Sequence, residues 1–420
     1  MGPNCGYFPL GMRALTIPAL FFAGLLGACS SSPGGAPGDA GVQTAFERTS
    51  YEGPVASNRD FGGLVVAEEP QAALIGREIL EKGGSAGDAA TAIYFTLAVT
   101  YPVAAGLGGG GACLAFGQAK GAVDAIDFTQ GATTIPANAR GMALLHARHG
   151  VKRWTSVVGP AERLAGKGFP ASRSLVKALD QARAVTQLDP AVAQLFSGPG
   201  GRPLKELDHV TQIGLATTLG RLRGHGVRGV YAGIGAQALV DGARDAGLPL
   251  SAEVLAAYRP TVSPAPSTPL GDRHVHTMVN QGAAQRAPAN SATTFLAVDR
   301  NANAVLCAVG MGAPLGSGRL AKGTGIVLAD PSTPPAPFSG ALVINTYTKE
   351  LFFAGVAAGS GTAAQKLLAL AQTSGLDTSS PPGTSIHALT CPSGLTPDDG
   401  KCQLAVSPNT HGLGLQATTN

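Results

Sequence analysis

Ala287-Pro288-Ala289-Asn290-Ser291-Ala292-Thr293-Thr294-Phe295-Leu296-Ala297-Val298-Asp299 is the stretch whose reading decides the fold. A small, polar lead-in meets a cluster of hydroxyls, which runs straight into an apolar strand. Arg300-Asn301-Ala302-Asn303 reads as a turn and Ala304-Val305-Leu306-Cys307-Ala308-Val309 as a returning strand. The pattern predicts a hairpin with hydroxyls at its mouth. Those hydroxyls carry a chemical possibility. If the chain is cut before Thr293, that residue holds both a hydroxyl nucleophile and a free α-amine. An α-amine titrates near pH ~8, so it can act as general base for its own hydroxyl, and no separate histidine is needed. The plainer reading of the same residues is a threonine-rich strand entrance.

The flanking chain fits a layered domain. Residues 62–67 (GGLVVA) form a short strand, and residues 71–82 an amphipathic helix stopped by Gly83-Gly84. Asp88 opens an alanine-rich helix without a polar face, which ends before Pro102 and must be buried. The run Gly106-Leu107-Gly108-Gly109-Gly110-Gly111 matches G-x-G-x-x-G by letter. It follows a helix and opens a strand, the reverse of a dinucleotide-binding turn, so that reading fails. Its glycines are expected to let backbone approach backbone, or substrate, closely. Residues 123–128 form another strand, residues 136–250 are largely helical, and residues 250–258 form a short helix ended by Arg259-Pro260. Residues 261–271 read as a Pro/Ser linker. Beyond the hairpin come a strand at 326–328 and a second hairpin from 341–345 and 351–354. Ala358-Gly359-Ser360-Gly361 then opens a helix to about Ser374, whose first N–H groups form an anion site. Strands come early and late with helices between, which predicts an α+β fold of α/β/β/α layers.

Composition narrows the class. Hydrophobic residues are 44% of the chain and charged residues 13%, the balance of a packed globular protein. A net charge of +4 is too slight to argue for nucleic acid, and Lys152-Arg153-Trp154 reads as a solvated loop. Arg13, the apolar run 14–26 and Leu26-Gly27-Ala28-Cys29 read as a lipoprotein signal, with Met12 as its start. The signal is 1–28, with acylation at Cys29 and a flexible tether at 29–50; a plain secretory signal is the alternative. Ser30 after the cysteine suggests the outer membrane, facing the periplasm. In that oxidising space Cys391 and Cys402 are expected to form a disulfide, while Cys113 and Cys307 read as buried thiols in apolar strands. Neither His274 with His276 nor His146 with His149 has an evident third ligand, and no G-x-S-x-G occurs. No metal or cofactor is expected.

The chain resembles the gamma-glutamyltransferase (gamma-glutamyltranspeptidase) family of N-terminal-nucleophile hydrolases. The resemblance rests on Gly83-Gly84-Ser85-Ala86-Gly87-Asp88-Ala89-Ala90, Gly106 to Gly111, Asp127-Phe128, Leu255-Ala256-Ala257-Tyr258-Arg259, Thr293-Thr294-Phe295…Val298-Asp299 and Gly323-Thr324-Gly325-Ile326. It implies an αββα sandwich made as one chain and cut into a large part (51–292) and a small part (293–420). It also implies a new N-terminal threonine that attacks γ-glutamyl amides such as glutathione, through an acyl-enzyme resolved by water or an acceptor amine. Partners would be a small amide or peptide substrate, the membrane through its lipid, and the other cleaved part. Thr293 is the implied nucleophile, with the N–H groups of Ala358 and Gly359 as oxyanion hole and Thr129, Thr294 and Ser360 near the substrate. Counting back from Asp299 without a gap instead puts Ala292 at the nucleophile position. Thr129 stands where the family has an arginine, and Asp330-Pro331 where it has paired aspartates. An uncleaved, inactive relative that serves as a binding or scaffold lipoprotein is the alternative.

Overall fold

Alternation along one central strand builds the layers. In the computed structural model, which describes residues 50–51, 61–130, 133–280, 290–397 and 401–419, the stretch Ala292–Asp299 is that strand. Phe295 and Ala297 enter one core and Leu296 and Val298 another, because successive side chains of a strand point to opposite faces. The signal 1–28, Cys29, the tether as far as 49 and the lead-in 281–289 lie outside the described residues. Among the described residues no helix is long and apolar enough to cross a membrane.

In chain order the first strands are β1 (Ser50–Tyr51), β2 (Phe61–Ala67), β3 (Gly110–Gly117), β4 (Ala122–Phe128), β5 (Phe169–Pro170) and β6 (His209–Val210). Next are β7 (Thr261–Pro264), β8 (Ser267–Leu270), β9 (Arg273–Asn280), β10 (Ala292–Asp299), β11 (Ala304–Gly310) and β12 (Leu320–Ala321). Last are β13 (Ile326–Val327), β14 (Phe338–Asn345), β15 (Glu350–Ala358), β16 (Ser385–Leu395), β17 (Gln403–Ala405) and β18 (Leu413–Thr418). The helices are α1 (Pro70–Glu81), α2 (Ala86–Thr100), α3 (Pro102–Ala105), α4 (Asn138–His149), α5 (Trp154–Lys167) and α6 (Arg173–Val185). They continue with α7 (Pro190–Leu195), α8 (Ile213–His225), α9 (Arg228–Tyr231), α10 (Gly233–Asp245), α11 (Ala252–Ala257) and α12 (Gly361–Thr373).

Two seven-stranded sheets result, in the orders β18-β2-β10-β11-β3-β4-β7 and β1-β17-β16-β15-β14-β9-β8. The outer face of the first sheet packs on α1, α2, α3 and α4, with α5 behind α2. The inner faces of the two sheets share a second core, and α12 covers the outer face of the second sheet. This is the αββα sandwich. Helix α2 is buried along its whole length, as a helix with no polar face must be. It starts in a capping box: the Ser85 hydroxyl accepts from the Asp88 amide and Asp88 accepts from the Ser85 amide. Burying Phe295 and Leu296 stabilises the sandwich by roughly 1.5–3 kcal/mol each.

Two sequence expectations need correction. Residues 261–271 are not a linker. They form β7, which pairs with β4 at the edge of the first sheet, and β8, which pairs with β9 at the edge of the second. The prolines survive because edge strands have amides with no ladder partner to lose. Nor are Cys113 and Cys307 free thiols. They lie directly opposite each other on β3 and β11 and form a disulfide. Cys391 and Cys402 are bonded as well. The glycine run opens β3, and Gly108 to Gly111 have no room for a side chain. A Cβ on Gly111 would lie 2.2 Å from the Ala308 carbonyl oxygen, and one on Gly109 would lie 2.2 Å from that of Gly310.

Candidate active site

The start of β10 lies between two cavities, and Ala292 lines both. Asn290 enters with φ +58°, a left-handed conformation that asparagine tolerates better than most side chains. Ala292 then pairs with Gly310 and Thr293 with Val309 on β11. On its other edge β10 meets β2 only from Phe295, opposite Ala67. The Thr294 amide is therefore left without a ladder partner. Glu68, the first residue after β2, supplies one, and its Oε1 accepts that amide at 3.1 Å.

The first cavity holds about 440 Å³ of space continuous with solvent. It is lined by Gly110, Thr129, Gln130, Gly310, Asp330 and Thr333 among others, and among the described residues Asp330 is the one charged side chain there. Asp330 accepts from the hydroxyls of Ser332 and Thr333, both at 2.6 Å, and from the Ser332 amide at 2.9 Å. Burial pushes its carboxyl up, but these hydrogen bonds outweigh burial and hold it below the usual carboxylate range. No cation lines this cavity among the described residues. Thr129 turns back on Asp127, donating to Oδ1 through its amide at 2.8 Å and its hydroxyl at 2.7 Å.

The second cavity, of about 710 Å³, is lined by Glu68, Lys177, Gln181, Asn290, Ser385 and His411 among others. At its inner end is a polar cluster that the sequence does not announce. The Thr294 hydroxyl donates to Glu68 Oε1 at 3.3 Å and lies 3.2 Å from the Ser385 hydroxyl. His387 Nδ1 accepts from the Ser407 amide at 3.2 Å, which assigns the ring proton of the neutral imidazole to Nε2. Nε2 has no hydrogen-bond partner and lies 3.8 Å from Glu68 Oε1. Ser385 and His387 share the inward face of β16 by alternation. That spacing is visible in the sequence, but its pairing with Glu68, three hundred residues earlier, is not.

The structure separates the residues that the resemblance gathers. Thr293 lies on the helix-facing side of β10 with Phe295 and Ala297, is fully buried, and its hydroxyl has no partner. Ser291 is also buried with an unpartnered hydroxyl. The residue facing the cavities is Ala292, as counting back from Asp299 gives. Thr294 lies on the inter-sheet side. The Gly359 amide donates to the Pro337 carbonyl at 2.9 Å, so it is not free to hold an oxyanion. Ala358 is paired between Phe338 and Ser385 within its sheet. Ladder alternation therefore directs its amide toward β16. Ser360 is the N-cap of α12, accepting from the Ala363 amide at 3.2 Å, and lines neither cavity.

The αββα sandwich is the fold of the N-terminal-nucleophile hydrolases. Its fold matches that of a cephalosporin acylase from Bacillus halodurans with a TM-score of 0.72, over 89% of this chain and 98% of that one, at 15% identity. Residues 72–134 and 129–286, just over half of the chain, match the gamma-glutamyltranspeptidase family. The chain belongs to that family. It is 31% identical over 228 residues to the glutathione hydrolase proenzyme of Bacillus subtilis (strain 168), covering 48% of this chain and 38% of that protein. It is 29% identical over 278 residues to that of Escherichia coli (strain K12), covering 60% of this chain and 46% of that protein. The chain thus spans less than half the length of these curated relatives.

Proposed function

We propose that this chain is an amide hydrolase or acyltransferase of the N-terminal-nucleophile type, whose nucleophile, Thr293, is exposed by cleavage of the Ala292–Thr293 bond. One observation carries the reading: a buried hydroxyl without a partner sits directly after the residue that faces both cavities. Such a group costs about 1–3 kcal/mol, a strain that cleavage would relieve. Attack by Thr293 Oγ1 on its own preceding carbonyl is local and independent of the face its side chain occupies. The amide becomes an ester, and water hydrolyses it to an Ala292 carboxylate and a Thr293 amine. The freed residue can then turn toward the cavities. In turnover the amine takes the hydroxyl proton as Oγ1 attacks the substrate amide, and water or an amine resolves the acyl-enzyme.

The first cavity supports a donor that bears an amino group, through Asp330, and its described residues offer a donor's carboxylate no cation. Selectivity for a γ-glutamyl group is accordingly weak, since an ionic hydrogen bond contributes about 1.5–3 kcal/mol. Slow turnover of glutathione or γ-glutamyl-p-nitroanilide is expected, and a low micromolar KM would refute it. The second reading, an uncut binding lipoprotein, is favoured by Ala292 itself, which has no hydroxyl in the cavity-facing place. A reducing denaturing gel separates the two, and N-terminal sequencing of the smaller fragment fixes the bond. A fragment starting at Ser291 moves the nucleophile there. We also propose acylation at Cys29 and an outer-membrane, periplasm-facing location. Cys29→Ala is expected to leave the membrane fraction or keep its signal; unchanged fractionation with the signal removed refutes the anchor.

A further inference from the structure

The second cavity holds a hydroxyl arranged for attack that needs no cut in the chain. We propose that Ser385 is a second nucleophile of this fold, acting on ester or amide carbonyls, with Glu68 as its proton acceptor through Thr294. Proton direction carries the argument. A carboxylate only accepts, so the one hydroxyl proton of Thr294 is committed to Glu68 Oε1. The contact between Thr294 and Ser385 can then only be donated by Ser385. The Ser385 proton therefore points inward, along a path to a buried carboxylate. Ser385 itself lines the second cavity. A proton held toward the base, on a residue that lines the cavity, is the arrangement a nucleophilic hydroxyl needs. Ser291 and Thr293, the other hydroxyls beside Ala292, have no acceptor at all.

His387 completes the set. Its Nε2–H is unpartnered, fully buried and 3.8 Å from the same carboxylate oxygen, so a small closure gives Glu68 another donor. Lys177, lining the same cavity, offers positive charge to a developing oxyanion. As the Ser385 Oγ–C bond forms, the carbonyl opens to an oxyanion. The Ser385 proton moves to Thr294 Oγ1, whose own proton moves to Glu68. On collapse the C–N or C–O bond breaks, and Glu68 returns its proton to Thr294 Oγ1, which gives its own proton to the leaving group. Water hydrolyses the ester by the same relay. None of this depends on cleavage at Thr293.

The test is labelling of the full-length chain with an alkyl phosphonofluoridate, in which the Oγ–P bond forms, P–F breaks and fluoride leaves. The adduct is expected on the peptide containing Ser385 and absent in Ser385→Ala. Glu68→Gln and Thr294→Val should slow labelling about a hundredfold, while Thr294→Ser, which keeps the relay hydroxyl, should restore it. That rescue separates loss of the relay from loss of the fold. An adduct on Thr293 alone would overturn the proposal while supporting the cleavage reading. No adduct at Ser385, or unchanged labelling in Thr294→Val, would overturn it whether or not the chain is cut.

Discussion

Thr293 and Thr294 are neighbours with the same side chain, and they occupy opposite surroundings. Thr294 faces the space between the sheets, where its amide and hydroxyl both donate to Glu68 and its oxygen meets Ser385. Thr293 faces the helices among apolar side chains, with a hydroxyl bonded to nothing. Strand alternation alone makes the difference. A hydroxyl inside a bonded network contributes to the fold, whereas an isolated buried one destabilises it. The helix-side position is the one that cleavage would change, and the inter-sheet position is the one that holds the strand start in place.

The largest expected effect breaks the comparison outright. Thr293→Ala should abolish cleavage and leave a single chain on a reducing gel, while Ser291→Ala should still be cut. If both are cut, the nucleophile is not Thr293; if neither the wild type nor Ser291→Ala is cut, Thr293 is an ordinary buried threonine and the uncut reading stands. The gel must be run both ways. The Cys113–Cys307 disulfide joins residues on either side of the Ala292–Thr293 bond. Without reductant the two pieces should migrate as one, and with reductant as two. Two bands without reductant would mean that this disulfide does not form in the mature protein.

The disulfide gives the next effect. In the uncut Thr293→Ala chain it closes 194 residues of sequence, and in the chain-entropy picture a loop of that size stabilises by about 5 kcal/mol. Cys113→Ser with Cys307→Ser should lower stability by several kcal/mol in denaturant unfolding, against roughly 2–3 for Cys391→Ser with Cys402→Ser, whose separation is 11. Equal losses would show that the loop argument does not govern here.

A smaller effect sharpens the comparison itself. Thr294→Val removes the hydroxyl between Ser385 and Glu68 and should cost about 1–3 kcal/mol. Thr293→Val replaces an unpartnered hydroxyl with a methyl in an apolar setting and should be neutral or slightly stabilising relative to Thr293→Ala, both being uncut chains. Equal losses at the two positions would mean that the surroundings of Thr293 are not as dry as its burial implies.

What the sequence reveals and what it conceals follow the same logic. The hairpin of β10 and β11, the buried α2 and the capped α12 are legible because their signals are local: period, composition and a capping residue. The Cys113–Cys307 bond is not legible, since two cysteines in apolar strands look alike whether or not register sets them opposite each other. The strands β7 and β8 are hidden by prolines that only an edge position permits. The glycines before β3 are legible as sites of close approach, though not what approaches them. The oxyanion assignment at Ala358 and Gly359 follows the motif, and the ladder around it is not legible. Only the pairing of β15 with its neighbours shows that the Gly359 amide already has Pro337. The Glu68–Thr294–Ser385–His387 cluster draws on three separate parts of the chain, so its chemistry exists only after the two sheets meet.

The smallest effect compares two carboxylates of opposite sign at the start of α2: Asp299, which ties it to the far end of β10, and Asp88, which ties it to the turn after α4. Asp299 accepts from the Ala86 amide at 2.9 Å and from the amides of Asn301 and Asn303. Burial nevertheless dominates and raises its carboxyl above the usual value. Asp88 is also buried, which pushes it up, but the His146 ring and the amides of Ser85, Val151 and Lys152 outweigh burial and hold it below. A folded value below the unfolded one gives stability that is present above the unfolded value and lost as pH falls through the folded one. A raised folded value gives stability that is full below the unfolded value and lost as pH rises through the folded one. In uncut Thr293→Ala protein, Asp88→Asn should therefore cost more at pH 7 than in acid, its penalty fading as pH falls through the depressed folded value. Asp299→Asn should show the reverse trend from its titration, its penalty shrinking as pH rises from acid through the raised folded value. Urea unfolding of both variants across the carboxylate range measures the two slopes. If they have the same sign, burial does not dominate at Asp299, and the far end of β10 is held by charge as the near end is held at Glu68.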